Sequence, residues 1–306
     1  MFDRPILVTG FNRPDLLELV LEKLKLYNCS SVFISIDGPR VGKTSDHSRV
    51  LACRDIARKF NAEDPGKNRL LETNMGCGLG MYSAIEWFFS QVEAGIIIED
   101  DIDFGFSFLS TMDYLLSELR EDASVGSVTG LNPITALLPI EVQMRENGFI
   151  AHSFFSSWGW ATWRDRWNLY EFDLSQWEIG ISKFALWRRF GILGSRFFAS
   201  KFNSVRDGKV DTWDYQFLAM QIRHNLKCIA PVVNQIGNLG FRDDATHTNS
   251  ESRLSLEFSP EAKLFESLRL DIETAGKIDS LYLHKHYQVP TMTQRFLSRL
   301  FPENRH

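Results

Sequence analysis

The sequence predicts an α/β fold, a mainly parallel sheet with helices on both faces. Three observations carry this expectation. Pro5 to Thr9, Val32 to Ile36 and Gly95 to Ile98 are short, largely aliphatic runs, which suits strands buried on both sides. Segments with helical spacing alternate with them. Polar or acidic residues follow each run within three positions, at the carboxyl edge where ligands sit in sheets of this kind.

Taken in order, the first strand ends at Thr9. Gly10-Phe11-Asn12-Arg13 makes a turn, and Pro14 occupies a first helical position, followed by Leu17, Val20, Leu21 and Leu24 at helical spacing. The second strand runs into Asp37-Gly38-Pro39, a turn signal, and a helix is expected near 46–60. Arg69 to Glu72 reads as a short strand, the segment 74–80 as a glycine-rich loop, and Met81 to Val92 as a helix. The strand ending at Ile98 then meets Glu99, Asp100, Asp101 and Asp103 within five positions. So many carboxylates repel one another unless something positive sits among them. A divalent cation bound to a diphosphate would serve, whereas an acid-capped strand end in solvent would need no ligand.

The chain of 306 residues is long enough for one large α/β domain. Its net charge of −5 makes nucleic acid an unsuitable partner. Cys29, Cys53, Cys77 and Cys228 are scattered, without the paired spacing of a zinc site, and fit a reducing compartment. The N terminus does not read as a signal peptide, and no apolar run approaches the roughly 20 residues of a membrane span. A cytoplasmic location is expected, at the inner face of the cytoplasmic membrane if the basic aromatic stretches 181–202 and 293–301 touch lipid. The segment GPRVGKT at 38–44 is one residue short of a phosphate-binding loop and reads as surface.

Several segments together carry a resemblance: PILVTGFNRPDLLELVLEKL, then VFISIDGPR, then GIIIEDDIDFGFSFL, and later SFFSSWGWATWR, TWDYQF and CIAPVVNQIGNLGF. In this order they resemble GT-A glycosyltransferases, and within that class are most similar to N-acetylglucosaminyltransferase I and its bacterial relatives. The match spans roughly residues 5–250. The resemblance implies a GT-A (Rossmann-like) mixed, mainly parallel sheet flanked by helices, with a C-terminal acceptor-side region. It divides the chain into a nucleotide-sugar half (1–130), an acceptor and catalytic half of the same domain (131–255) and a C-terminal helical extension (256–306).

It also implies an activity: metal-dependent, inverting transfer of a hexose such as GlcNAc from a UDP-sugar to a glycan or lipid-linked acceptor, in polysaccharide or related assembly. Asp101 and His247 would bind Mn²⁺ or Mg²⁺. Thr9, Arg13, Asp37, Asn74, Glu99 and Asp100 would bind the donor, Arg13 at the diphosphate and Asp37 at the uracil. Trp158, Gly159 and Trp160 would meet the acceptor. Asp214 would be the catalytic base, with Asp211 in reserve, because inversion needs the attacking hydroxyl deprotonated. As ordinary structure, Asp211 or Thr212 would cap the helix through Phe217. A sugar nucleotidyltransferase and a non-catalytic carbohydrate-binding protein are the other readings, and the single glycine and arginine of GFNRPD argue against the first.

Overall fold

The computed structural model describes residues 1–143, 148–174, 177, 183–240, 270–271 and 275–295. The first half alternates strands and helices: β1 (Ile6–Gly10), α1 (Pro14–Leu26), β2 (Val32–Ile36), α2 (Thr44–Phe60), β3 (Asn68–Leu70), α3 (Gly76–Phe89) and β4 (Ala94–Glu99). Then come β5 (Ile102–Phe104), α4 (Phe106–Glu118), β6 (Val125–Thr129), β7 (Phe149–His152) and β8 (Trp160–Trp163). The longer elements that follow are α5 (Lys183–Arg206), α6 (Asp214–Arg223), β9 (Lys227–Pro231), β10 (Ile236–Asn238), β11 (Leu270–Asp271) and α7 (Ala275–Leu281).

Nine strands form one sheet in the order β11-β7-β9-β6-β8-β4-β1-β2-β3. Five of its pairings are parallel: β1 with β2 and with β4, β2 with β3, β6 with β9, and β7 with β11. Strand β8 runs antiparallel between β4 and β6, and β7 is antiparallel to β9. This is the mixed, mainly parallel α/β sheet expected from the sequence. From β1 the chain winds outward to β2 and β3, then returns to the other side of β1 as β4. That reversal leaves a crevice at the carboxyl ends of β1 and β4, the place where open α/β sheets bind ligands.

The aliphatic runs explain why the sheet is covered on both faces. Leu7, Phe33 and Ile97 pack into one core with Ile85, Phe88 and Phe89 of α3. Their neighbours Ile6, Val8, Ile34, Ile96 and Ile98 pack into the other, against α1, α2 and α4. Alternation along each strand feeds two cores, so these strands are apolar on both faces apart from Ser35, whose hydroxyl accepts from Arg69, and Thr9 and Glu99 toward the carboxyl ends.

Helix α3 starts at Gly76, inside the segment expected to be a loop, because its first N–H groups find a distant acceptor. Asp211 takes the backbone N–H groups of Cys77 and Gly78, each at 2.9 Å. A carboxylate at a helix N terminus satisfies orphan donors and the helix dipole together. The expected cap therefore serves a different helix from the one it precedes in sequence; α6 opens at Asp214 with Trp213 as its N-cap and no side-chain cap. Strands β5 and β10 form an antiparallel ribbon that the sequence did not announce. In the segment expected to be a helical extension, β11 joins the sheet edge, and α7 packs on β7. Among the described residues, no helix is long and apolar enough to cross a membrane.

Candidate active site

A cavity of about 450 Å³ opens at the β1/β4 crevice. Its acidic wall is built by the end of β4. Glu99 closes the strand, Asp100 is buried at 2% exposure, and Asp101 lies in the turn before β5. Arg13, at the start of α1, reaches into this wall. It donates from Nη2 to Asp100 and from Nη1 to Asp101 Oδ2, the latter at 2.9 Å. The end of β1 and the end of β4 are neighbours in register, Thr9 opposite Glu99, so the two loops that follow have to meet.

The charges on this wall are held in tension. Burial pushes the Glu99 carboxyl above the usual range, and the negative Asp101 and Asp100 push it further. Asp100 is likewise raised by burial, with Arg13 pulling the other way. Burial disfavours the Arg13 cation, yet the two aspartates outweigh it and hold the guanidinium charged. Among the described residues Asp100 Oδ2 is buried without a hydrogen-bond partner.

The β5–β10 ribbon sets the roof. Leu239 N–H donates to the Asp101 backbone carbonyl at 2.8 Å, and Asn238 and Gly240 line the cavity over Asp101. The opposite wall centres on Asp37. Its carboxylate accepts N–H groups from Gly38 and Met75 at 2.8 and 3.0 Å and the Asn74 amide at 2.9 Å. Burial raises Asp37 while these N–H groups lower it. The arrangement needs a glycine at 38: a Cβ there would lie 2.3 Å from the Thr73 backbone carbonyl carbon, closer than any side chain tolerates.

Of the expected site residues, Thr9, Arg13, Asp37, Asn74, Glu99, Asp100, Asp101 and Trp158 line this one cavity. Two expected acceptor residues lie away from the cavity lining. Trp160 is fully buried in β8, stacked on Trp213 with ring centres 5.5 Å apart, and serves the core. Gly159 faces Ile236 and Phe108, has φ +55°, and meets a backbone demand that any Cβ would violate. Asp214 lies outside the cavity lining; it accepts the Tyr215 N–H at 2.9 Å and the Thr212 hydroxyl. Its charge still reaches Glu99 and Cys77 in the wall. Asp211 does line the cavity. His247 lies outside the described residues.

Sequence reasoning missed Phe11 and Arg40, which line the cavity beside Asp37. The Arg40 guanidinium sits 5.3 Å from the Phe11 ring centre and is held by buried Asp46 at 2.7 Å. No spacing rule would have joined the three, because they come from separate loops and a helix. Asn238 and Gly240 were equally hidden, since their place depends on the ribbon.

The donor set suits a hard divalent cation. Mg²⁺ and Mn²⁺ prefer carboxylate oxygens, and one or two carboxylates suffice where phosphate oxygens and water complete the shell. Asp101, 14% exposed toward the cavity, and the partnerless Asp100 Oδ2 are oxygens of that kind. Among the described residues no three His, Cys, Asp or Glu side chains form a cage sufficient by itself.

No family model matches the chain. No curated protein matches it either. Among solved structures, the galactosyltransferase LgtC in complex with donor and acceptor sugar analogs is similar over 81% of this chain and 92% of that one, at 7% identity and a TM-score of 0.35. A likeness that low carries no argument about activity, so the functional reading rests on the residues of the cavity.

Proposed function

We propose that this chain is a glycosyltransferase that moves a hexose from a UDP-sugar to a glycan or lipid-linked acceptor with inversion. The observation that carries the reading is the grip of Arg13 on Asp100 and Asp101 at the carboxyl edge of β1 and β4. A cation already held between carboxylates at this edge suits a ligand that brings a diphosphate and a metal together.

In this reading Asp101 holds Mn²⁺ or Mg²⁺, with Asp100 beside it. When bound, the cation neutralises charge developing on the leaving diphosphate. Arg13 turns from Asp101 toward that diphosphate and shares the task. Thr9, Asp37 and Asn74 hold the nucleoside end, with Phe11 and Arg40 as an apolar and cationic flank. Glu99, at the end of β4 beside Asp100, lines the cavity where it can hydrogen-bond a sugar hydroxyl. Trp158 offers a face on which an acceptor sugar can pack its C–H groups.

Asp214 is the proposed base, standing at the first turn of α6 where its charge reaches the wall. Asp211 faces the cavity but already serves as the α3 cap. The two roles separate in one assay, UDP release from a panel of UDP-sugars with Mn²⁺ and acceptor. Asp214→Asn is expected to leave UDP affinity within about threefold of wild type while lowering transfer about 10³-fold. Asp211→Asn is expected to weaken the fold by about 1 kcal/mol and keep most transfer. Loss of transfer in Asp211→Asn alone would move the base to Asp211. No UDP release from any donor would reject the transferase reading.

A further inference from the structure

A second surface is built for contact, away from the cavity. Helix α5 buries one side, with Leu186, Phe190, Phe198 and Phe202 in the core. Its other side exposes Phe184 by 63%, Trp187 by 48% and Ile192 by 49%. The Phe184 and Trp187 rings stand 5.5 Å apart, so they form one apolar projection. Gly191, at φ +65°, kinks the helix between Trp187 and Ile192.

The charge of this helix departs from the rest of the chain. Residues 183–206 hold six Lys or Arg and no Asp or Glu, while the whole chain carries a net −5. Arg188, next to Trp187 in sequence, and Arg196, beyond the Gly191 kink, are both exposed. Among the described residues neither enters an ion pair. A solvent-facing helix of an acidic protein normally mixes both signs. Exposed aromatic side chains on a helix whose charged residues are all cationic are the pattern that sinks into the headgroup region of a negatively charged bilayer.

We propose that the outer face of α5, centred on Phe184 and Trp187 and assisted by the exposed cations Arg188 and Arg196 of the same helix, docks the protein on an anionic lipid surface. The proposal goes beyond sugar transfer and does not rest on it.

Sedimentation of the full chain with phosphatidylcholine vesicles, with and without an equal share of phosphatidylglycerol, tests this. Binding is expected only to the anionic vesicles, weakening as salt rises, with a blue shift of tryptophan emission as Trp187 leaves water. The double substitutions Phe184→Ser with Trp187→Ser, and Arg188→Glu with Arg196→Glu, are each expected to weaken binding about tenfold or more. Both pairs are exposed, so circular dichroism should match wild type. Absence of vesicle binding overturns the proposal, as does binding that both double variants retain. A concentration-dependent dimer that Phe184→Ser with Trp187→Ser abolishes would also overturn it, by assigning the face to a second copy of the chain.

Discussion

Asp101→Asn is expected to lower metal-dependent donor turnover by about 10³-fold or more while the protein stays folded. The two halves of that expectation come from different atoms of the same residue. The backbone carbonyl of Asp101 takes the Leu239 N–H and ties down the β5–β10 ribbon, and the substitution leaves this bond in place. Among the described residues the carboxylate is held by Arg13, and it lines the cavity where a cation can reach it. Asparagine keeps the shape, including the close packing of Gly240 on Oδ2, but loses the charge. Titration of UDP into protein with Mn²⁺ should show weakened binding, and a thermal melt without ligands should change by only a few degrees. Turnover near the wild-type rate would remove the metal from Asp101.

Arg13→Met is expected to destabilise the ligand-free protein by about 3–5 kcal/mol, a fall of roughly 5–10 °C in melting temperature. The substitution leaves Asp100, Glu99 and Asp101 crowded together without their countercharge. The effect carries a definite pH sign. Burial has already raised the folded Glu99 and Asp100 carboxyls above their unfolded values, which lie near 4. Groups raised on folding contribute stability that is complete below the unfolded value and is lost as pH rises through the folded one. Without Arg13 the folded values climb further and more is lost. Variant and wild type lose stability in parallel until the wild-type groups ionise, at about 7 for Asp100 and about 8 for Glu99, so the gap between them should widen from about pH 7 upward. Mn²⁺ alone should raise the melting temperature of Arg13→Met more than that of wild type, because in wild type the guanidinium competes with the metal for Asp101. A gap that narrows with rising pH, or a variant insensitive to Mn²⁺, would contradict this picture.

The legible part of the molecule is the part governed by local pattern. The aliphatic runs of β1, β2 and β4 read as strands because each feeds two cores, and Pro14 marks the start of α1. The acids at 99–101 stood out because so many carboxylates after a buried strand repel one another unless a cation or solvent relieves them. What stayed hidden depends on contacts far apart in the chain. Asp211 looked like a cap for its own helix and instead caps α3, 133 residues upstream. Trp160 sits in a segment that resembles an acceptor motif, yet β8 is inserted between β4 and β6, and an inner strand buries its tryptophans. The nucleoside side of the cavity draws Phe11, Arg40 and Asp46 from three elements that no spacing connects. The ribbon of β5 and β10 joins residues more than a hundred positions apart, so Asn238 and Gly240 carried no local signal.

The account turns on Arg13 and a cation exchanging places at Asp101 when the diphosphate arrives. A crystal of the wild-type protein grown with Mn²⁺ and UDP, measured at the manganese absorption edge, tests that exchange most directly. The predicted map has one anomalous peak bonded at about 2.2 Å to the Asp101 carboxylate and to the diphosphate, with Arg13 turned onto a phosphate oxygen. UDP in the cavity with no metal at Asp101 and Arg13 still joined to both aspartates would contradict it.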